Sequence, residues 1–326
     1  MNMTETIRGG AAPAPAPAAM PIAAGAADAY PSQPAKLVLP FAAGDQSAVV
    51  ARIAAESLSK ALGQPFVVEN VAGAGGMIAA SRVARSPADG YTLFLPNAST
   101  LTIAPHLQKS SGIKPSSFAP IGTVSQFPLV LVVNSNSPYK SFADVIAAAK
   151  TKSGGLSFAS PGVGTTPHLV GETLSKEAGI PLTHVGYKGG APALNDLLAG
   201  QVDLYFEAPA TITSQLQAGK LRALAVTGTK RMASLPNVPT VSELGLPNLT
   251  LESWAALVAP AGTPAAIVKQ LHAELDKVVN SDDFRRKLVD RGFEPLSKSP
   301  VELERMINDE STRWAQIIKE RRITAD

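Results

Sequence analysis

The sequence predicts an α/β protein of two lobes, each a mostly parallel sheet flanked by helices, with a two-stranded hinge between them. Three observations carry the prediction. A chain of 326 residues with 45% hydrophobic side chains is long enough for two domains, each with its own core. Short β-branched runs alternate with helical periodicity in two separate blocks, the mark of βαβ units and parallel pairing. Beyond the second block the chain turns to helices that have no strands of their own to cover, so they are expected to return to the first sheet.

In the first block, a strand at Leu37–Leu39 leads into a helix ending near Leu62. Val50, Ile53, Ala54, Leu58 and Ala61 recur there at three- and four-residue steps and share one face, and Gly63 ends the helix. Strands at Phe66–Val68 and Tyr91–Leu95 follow, with a helix over 76–85 between them. The second block places strands near Leu129–Val133, Leu156–Phe158, Thr183–Val185, Val202–Phe206 and Leu221–Val226, again with helices between. The tail gives helices from Thr263-Pro264 onward, over 282–291 and over 299–322, the long ones each with one apolar stripe. The lobes are then expected at 31–131 plus 252–326 and at 132–251, with crossings near 130–134 and 251–254.

Residues 1–30 form a leader of Ala, Pro and Gly that cannot build a core. Two readings stand for it. As an export signal it offers Arg8, a small-residue stretch and a cleavage site at Ala27-Asp28-Ala29; against that, Pro13, Pro15 and Pro17 interrupt the apolar helix such a signal needs, as in a disordered cytoplasmic leader. No stretch reaches the roughly 20 apolar residues of a membrane-spanning helix. The net charge of +3 is spread among both signs rather than gathered in a stripe, so no nucleic-acid partner is expected. The absence of Cys excludes disulfides, thiolate metal sites and a Cys nucleophile.

The stretch with the most chemistry is Ser160-Pro161-Gly162-Val163-Gly164-Thr165-Thr166, where an apolar run stops and a helix starts at Pro167, with Thr166 placed to cap it. Unpaired amides are expected to converge there as a backbone anion cradle, which suits holding a carboxylate rather than transforming it. Phe41, Ala42, Ala43, Gly44, Asp45, Gln46 and Ser47 leave the first strand for the first helix in the same way, at the sheet edge where α/β proteins bind ligands. Read alone, that loop is equally an ordinary capped turn; paired with the first it forms two jaws. Asn97 joins the expected ligand contacts. Lys188, on a loop before another helix, reads as a cleft residue or a solvated turn. His168 reads as a ligand donor or a structural ring in the first helical turn, and Glu207, ending a strand, as an acceptor at the cleft edge. Asn70 to Gly76 lacks the third Gly of a dinucleotide fingerprint, and the four His show no metal spacing, so no metal and no cofactor are expected. With no GxSxG elbow, phosphate-binding lysine loop or His-paired nucleophile, an enzyme is not expected either.

Assembled, these residues resemble the tripartite tricarboxylate transporter solute-binding proteins, also called the Bug family, over nearly everything after the leader. The resemblance rests on Pro40-Phe41-Ala42-Ala43-Gly44, Val68-Glu69-Asn70 with Gly73-Ala74-Gly75-Gly76, Asp89-Gly90-Tyr91-Thr92-Leu93, Gly162-Val163-Gly164-Thr165-Thr166-Pro167-His168, Tyr187-Lys188-Gly189-Gly190, Pro236-Asn237-Val238-Pro239-Thr240 and Pro260-Ala261-Gly262-Thr263-Pro264. It implies a periplasmic-binding-protein-like fold. It further implies a monomeric receptor that closes on a small carboxylate, holds it largely through main-chain groups and waters, and delivers it to a membrane permease. The alternative is a cytoplasmic ligand sensor or scaffold that kept the fold without export. The chain departs from the family pattern at Asp45, where a second Gly is usual, at Ala48, where Asp is usual, and at Gly186, where Pro precedes the Tyr. An inward-facing Asp45 would repel an anion, whereas an outward one would only cap the helix, so the ligand is not to be borrowed from relatives.

Overall fold

The computed structural model describes Met1, residues 30–41 and residues 46–324. From β1 (Ala35–Leu39) the chain runs through α1 (Gln46–Leu62), β2 (Phe66–Asn70), α2 (Met77–Ala84) and β3 (Thr92–Phe94). Two short helices, α3 (Ala98–Thr102) and α4 (Ala104–Leu107), precede the long strand β4 (Phe118–Pro128). Leu129 alone separates β4 from β5 (Val130–Asn134), which already belongs to a second sheet. There follow α5 (Phe142–Thr151), β6 (Leu156–Ser160), α6 (Thr166–Glu177), β7 (Leu182–Gly186), α7 (Gly190–Leu198), β8 (Leu204–Glu207), α8 (Pro209–Gln217) and β9 (Leu221–Val226). The return path leads to β10 (Glu252–Pro260), α9 (Ala265–Asn280), α10 (Asp282–Val289), β11 (Glu294–Pro295) and α11 (Pro300–Arg321).

The fold is the two-lobed α/β arrangement expected. The first sheet has the order β11-β4-β10-β3-β1-β2 and the second β7-β6-β8-β5-β9. Both are mixed. β1 pairs in parallel with β2 and β3, and β6 with β7 and β8, while β10 and β5 run antiparallel to their neighbours. The antiparallel members are the strands at the crossings, where the chain must enter and leave each sheet. The two crossings lie side by side, with Glu252 opposite Pro128, and both are tied to Thr227 just past β9: Leu129 N–H donates to Thr227 Oγ1 (2.8 Å), Thr227 N–H to Leu129 O (2.9 Å) and Leu251 N–H to Thr227 O (2.8 Å). The hinge therefore has two crossing segments held by a third.

Periodicity explains the helices. Ala48, Ala51, Ala55 and Leu58 of α1 are buried against the first sheet, and α9 and α10 lie on the same side. α11 divides its apolar stripe between the lobes: Leu303 and Ile307 join Val38, Phe94 and Trp254, whereas Trp314, Ile317 and Ile318 enter the second lobe's core with Leu131, Phe158 and Leu169. The junction is sealed by charge, with Arg321 Nε donating to Glu172 Oε2 (2.5 Å) and Lys176 Nζ to Glu320 (2.6 Å) across α6 and α11.

Candidate functional site

The parallel strands of both sheets end toward loops that start helices. In the second lobe, β6 stops at Ser160 and α6 begins at Thr166, one residue earlier than the capping pattern predicts. Thr165 is the N-cap, but its Oγ1 donates back to Gly162 O (2.8 Å) instead of accepting from the helix, so Pro167 falls in the second helical position. Gly162 at φ +142° and Gly164 at φ +77° supply the turns.

The loop is braced from within. Gly162 N–H donates to Ser160 Oγ (3.1 Å), Gly164 N–H to His168 Nδ1 (3.1 Å), and Thr165 N–H to Gly162 O (3.3 Å). Of the amides expected to form the cradle, these three hold the loop in shape. The amides of Val163, Thr166 and His168 have no acceptor among the described residues. Val163 is also one of the chain's exposed large apolar side chains, at 48%.

His168 lies beneath this loop, 4% exposed, its ring stacked on that of His184 with 3.7 Å between centroids. Burial, reinforced by the neighbouring His184, holds the His168 pKa down at about 3, and burial holds His184 at about 4. Both rings are neutral at neutral pH. Because His168 Nδ1 accepts from Gly164, its proton sits on Nε2, 3.9 Å from Glu172 Oε1. His184 Nε2 lies 2.7 Å from Ser160 Oγ, so the pair supports the cradle rather than adding positive charge to it.

The neighbouring loops are tied to this one. Tyr187 N–H donates to Ser160 O (3.0 Å) and Gly189 N–H to Pro161 O (3.0 Å), which places the exposed Lys188 on the adjoining rim. Glu207, closing β8, is buried under the start of α7. Its Oε2 accepts from the Tyr205 hydroxyl and its Oε1 from Ala208 N–H (2.7 Å). Burial, and then the Glu207 charge, push the Tyr205 phenol far above its ordinary pKa, so it remains the donor.

In the first lobe, Phe41 O accepts from Asn70 Nδ2 (2.8 Å), joining the ends of β1 and β2. Ala42, Ala43, Gly44 and Asp45 lie outside the described residues. Gln46 opens α1, with Ser47 partly buried and Ala48 fully buried in its first turns. Asn97 sits at the end of β3 as the N-cap of α3, its Oδ1 accepting from Thr100 N–H (3.1 Å) and the Ser99 hydroxyl (2.9 Å). The glycine turn at 73–76 packs between Pro40 and Thr100, where a Cβ on Gly76 would lie 2.9 Å and 2.7 Å from them.

The piece that joins the halves carries no sequence signal. Leu107, at the end of α4, sets its Cδ1 where a Cβ on Gly164 would stand, and Ile103 is buried in the second lobe's core. Neither belongs to a motif, and the segment carries no periodic pattern that marks it.

Each lobe thus carries a helix-start loop at the carboxyl edge of its parallel strands, the arrangement of a two-lobed binding protein. The chain belongs to the tripartite tricarboxylate transporter family receptors, whose family model matches residues 50–323. BugT of Bordetella pertussis is 36% identical over 296 residues, covering 90% of this chain and 91% of that protein. Among solved structures, Rpa4515 of R. palustris with adipate superposes with a TM-score of 0.81 at 35% identity, covering 90% of this chain and 99% of that one. MatC (Rpa3494) from Rhodopseudomonas palustris with bound malate gives 0.78 at 31%, covering 89% and 100%. The family consists of receptors, and this chain is a receptor rather than an enzyme. Among the described residues no helix is long and apolar enough to cross a membrane.

Proposed function

We propose that this protein is an extracytoplasmic receptor that captures a small carboxylate between its lobes and delivers it, as a monomer, to the membrane permease of a tripartite transporter. The observation that carries this reading is the braced loop after β6, whose unpaired amides at the start of α6 suit an anion. The adipate and malate held by two solved relatives support the carboxylate. The contacts are assigned to residues 41–47, Asn97, residues 160–166, the His168 amide and Lys188. Glu207 and the His168 ring stand behind them. The lobes divide at the crossings, 31–131 plus 252–326 against 132–251, with the second half of α11 reaching across.

A thermal-shift panel of mono-, di- and tricarboxylates tests the reading. A ligand at a hundred times its dissociation constant adds roughly 2.7 kcal/mol of stability, a shift of several degrees. Silence across carboxylates alongside a response to a neutral or cationic class would reject it. Repeating the panel with Asp45→Gly shows whether that carboxylate selects the ligand. Export is tested by the mass of the mature N-terminus: cleavage after Ala29 supports it, and an intact leader in the cytoplasmic fraction favours the sensor reading.

A further inference from the structure

Although no motif marks the segment between β3 and β4, it is where the chain of the first lobe meets the loop after β6. Leu107 Cδ1 fills the space beside Gly164 that a Cβ would take, and Gly164 at φ +77° is in a conformation that favours glycine. α4 is anchored from the first-lobe side: Gln108 Nε2 donates to Ala74 O (2.8 Å), and His106 Nε2 lies 2.7 Å from Ser311 Oγ on α11. On the far side, Gly164 N–H donates to His168 Nδ1, and His168 stacks on His184, which reaches Ser160. One unbroken line of contacts thus runs from the glycine turn at 73–76, through α4, to the anion loop.

We propose that Leu107 is a positioning residue for ligand capture. By seating on the bare backbone of Gly164 it sets where the second jaw stands relative to the first. The proposal rests on the receptor reading above and adds to it a determinant of affinity that lies outside the binding loops. A ligand held by both jaws binds only the conformations in which their spacing is right, and apparent affinity falls in proportion to the fraction of molecules that have it. Truncating Leu107 removes an apolar contact made at that spacing, and the expected loss is roughly tenfold.

The test is calorimetric titration of adipate and malate into the wild type, Leu107→Ala, Leu107→Met, Gly164→Ala and the double variant Leu107→Ala/Gly164→Ala. It is paired with amide hydrogen exchange of residues 160–170 without ligand. We expect Leu107→Ala to bind whichever diacid the wild type binds roughly tenfold more weakly, with little change in melting temperature. Leu107→Met should restore most of the loss, because it conserves volume. The double variant should bind better than the product of the single effects, since the new methyl at 164 occupies the space Leu107 vacates. Leu107→Ala binding like the wild type overturns the proposal and leaves the receptor reading standing. If the wild type binds neither diacid, that reading fails for these ligands and exchange decides the proposal: faster exchange at 162–168 in Leu107→Ala supports it, and equal rates overturn it. Should Leu107→Ala not fold, Leu107→Val takes its place: weaker binding than the wild type supports the proposal, and equal binding overturns it.

Discussion

Glu310 offers a test of the hinge region that needs no ligand. It lies on α11 where that helix meets α3 and β10, and its Oε1 accepts from Trp254 Nε1 (2.8 Å). Burial raises its pKa from 4.5 to about 7, against the Trp254 bond and the nearby Arg313, which favour the ionised form. The native state therefore holds a proton that the unfolded chain has already released. Stability contributed by the neutral carboxyl is fully present below pH 4.5, declines as the pH rises and is lost above about 7. At about 1.4 kcal/mol per pH unit, the native state is weakened by about 3 kcal/mol at pH 8 relative to pH 4.5. Glu310→Gln keeps an acceptor for Trp254 and removes the charge, so its stability relative to the wild type should rise by most of that amount between pH 5 and pH 8. Urea unfolding of both proteins across this range reads the difference, in which every other titrating group cancels. A difference that does not change with pH would refute the reasoning, because it would mean that Glu310 ionises in the fold as it does in water.

The buried imidazoles carry the opposite slope. His168 and His184 titrate at about 3 and about 4 in the fold instead of 6.5, so acidification below 6.5 should progressively weaken the protein, and His184→Gln should flatten that acid limb. Calorimetric melting at pH 4 to 7 checks it, and an unaltered limb would mean the rings are solvated. Gly171→Ala places a Cβ into the ring of the fully buried Phe158, an overpacking that should cost about 1–3 kcal/mol and be partly relieved by Phe158→Leu. A melting temperature equal to the wild type would contradict the close approach of α6 to β6. For Asn97, the Ala variant should lose about 1 kcal/mol with its cap, while Asp keeps the cap. Weakened carboxylate binding by a fully stable Asn97→Asp would show that Asn97 faces the ligand, and unchanged binding would confine it to capping.

What the sequence made legible was whatever depends on local periodicity and punctuation. The strands read at 37–39, 66–68 and 156–158, each two residues shorter than observed, the strand at 221–226 and the helices α1, α9 and α11 announce themselves through β-branched runs, three- and four-residue apolar steps and Gly or Pro boundaries. β4 is not legible, since Pro120, Gly122 and Pro128 break its alternation and two register shifts against β10 leave Val124 and Ile121 as extra residues on β4 itself. The loop after β6 was placed correctly as a turn into a helix, but its internal bonding was not. Whether an amide in a glycine-rich turn serves a ligand or its own loop depends on which side chains fold back, here Ser160, Thr165 and His168. Spacing does not encode that. Leu107 was invisible for a related reason: its meaning lies in a contact 57 residues away along the chain, with a residue that has no side chain.

The braced loop also bears on how such a receptor can both capture and release. A Lys or Arg aimed into the cradle would add full charge, whereas the described loop offers the partial charge of a helix start, worth roughly 0.3–1 kcal/mol to an anion placed there. Their value depends on being already in place, because a loop that had to be ordered by its ligand would lose conformational entropy at every binding event. Ser160, Thr165 and the neutral His168–His184 stack hold those amides in place beforehand. Neutral rings suit this role better than charged ones: a buried imidazolium pair would repel itself, and any ligand would have to compensate both charges. On the proposed function, the energy that separates bound from free then comes from whether the preformed loop after β6 stands at the right distance from the first lobe. That distance is set by the hinge bonds at Thr227 and by the seat of Leu107 on Gly164. The mechanics of the lobes are in this way separable from the titration of the loop's support, and a substitution at 107 should change affinity while leaving the acid limb of the stability profile where it is.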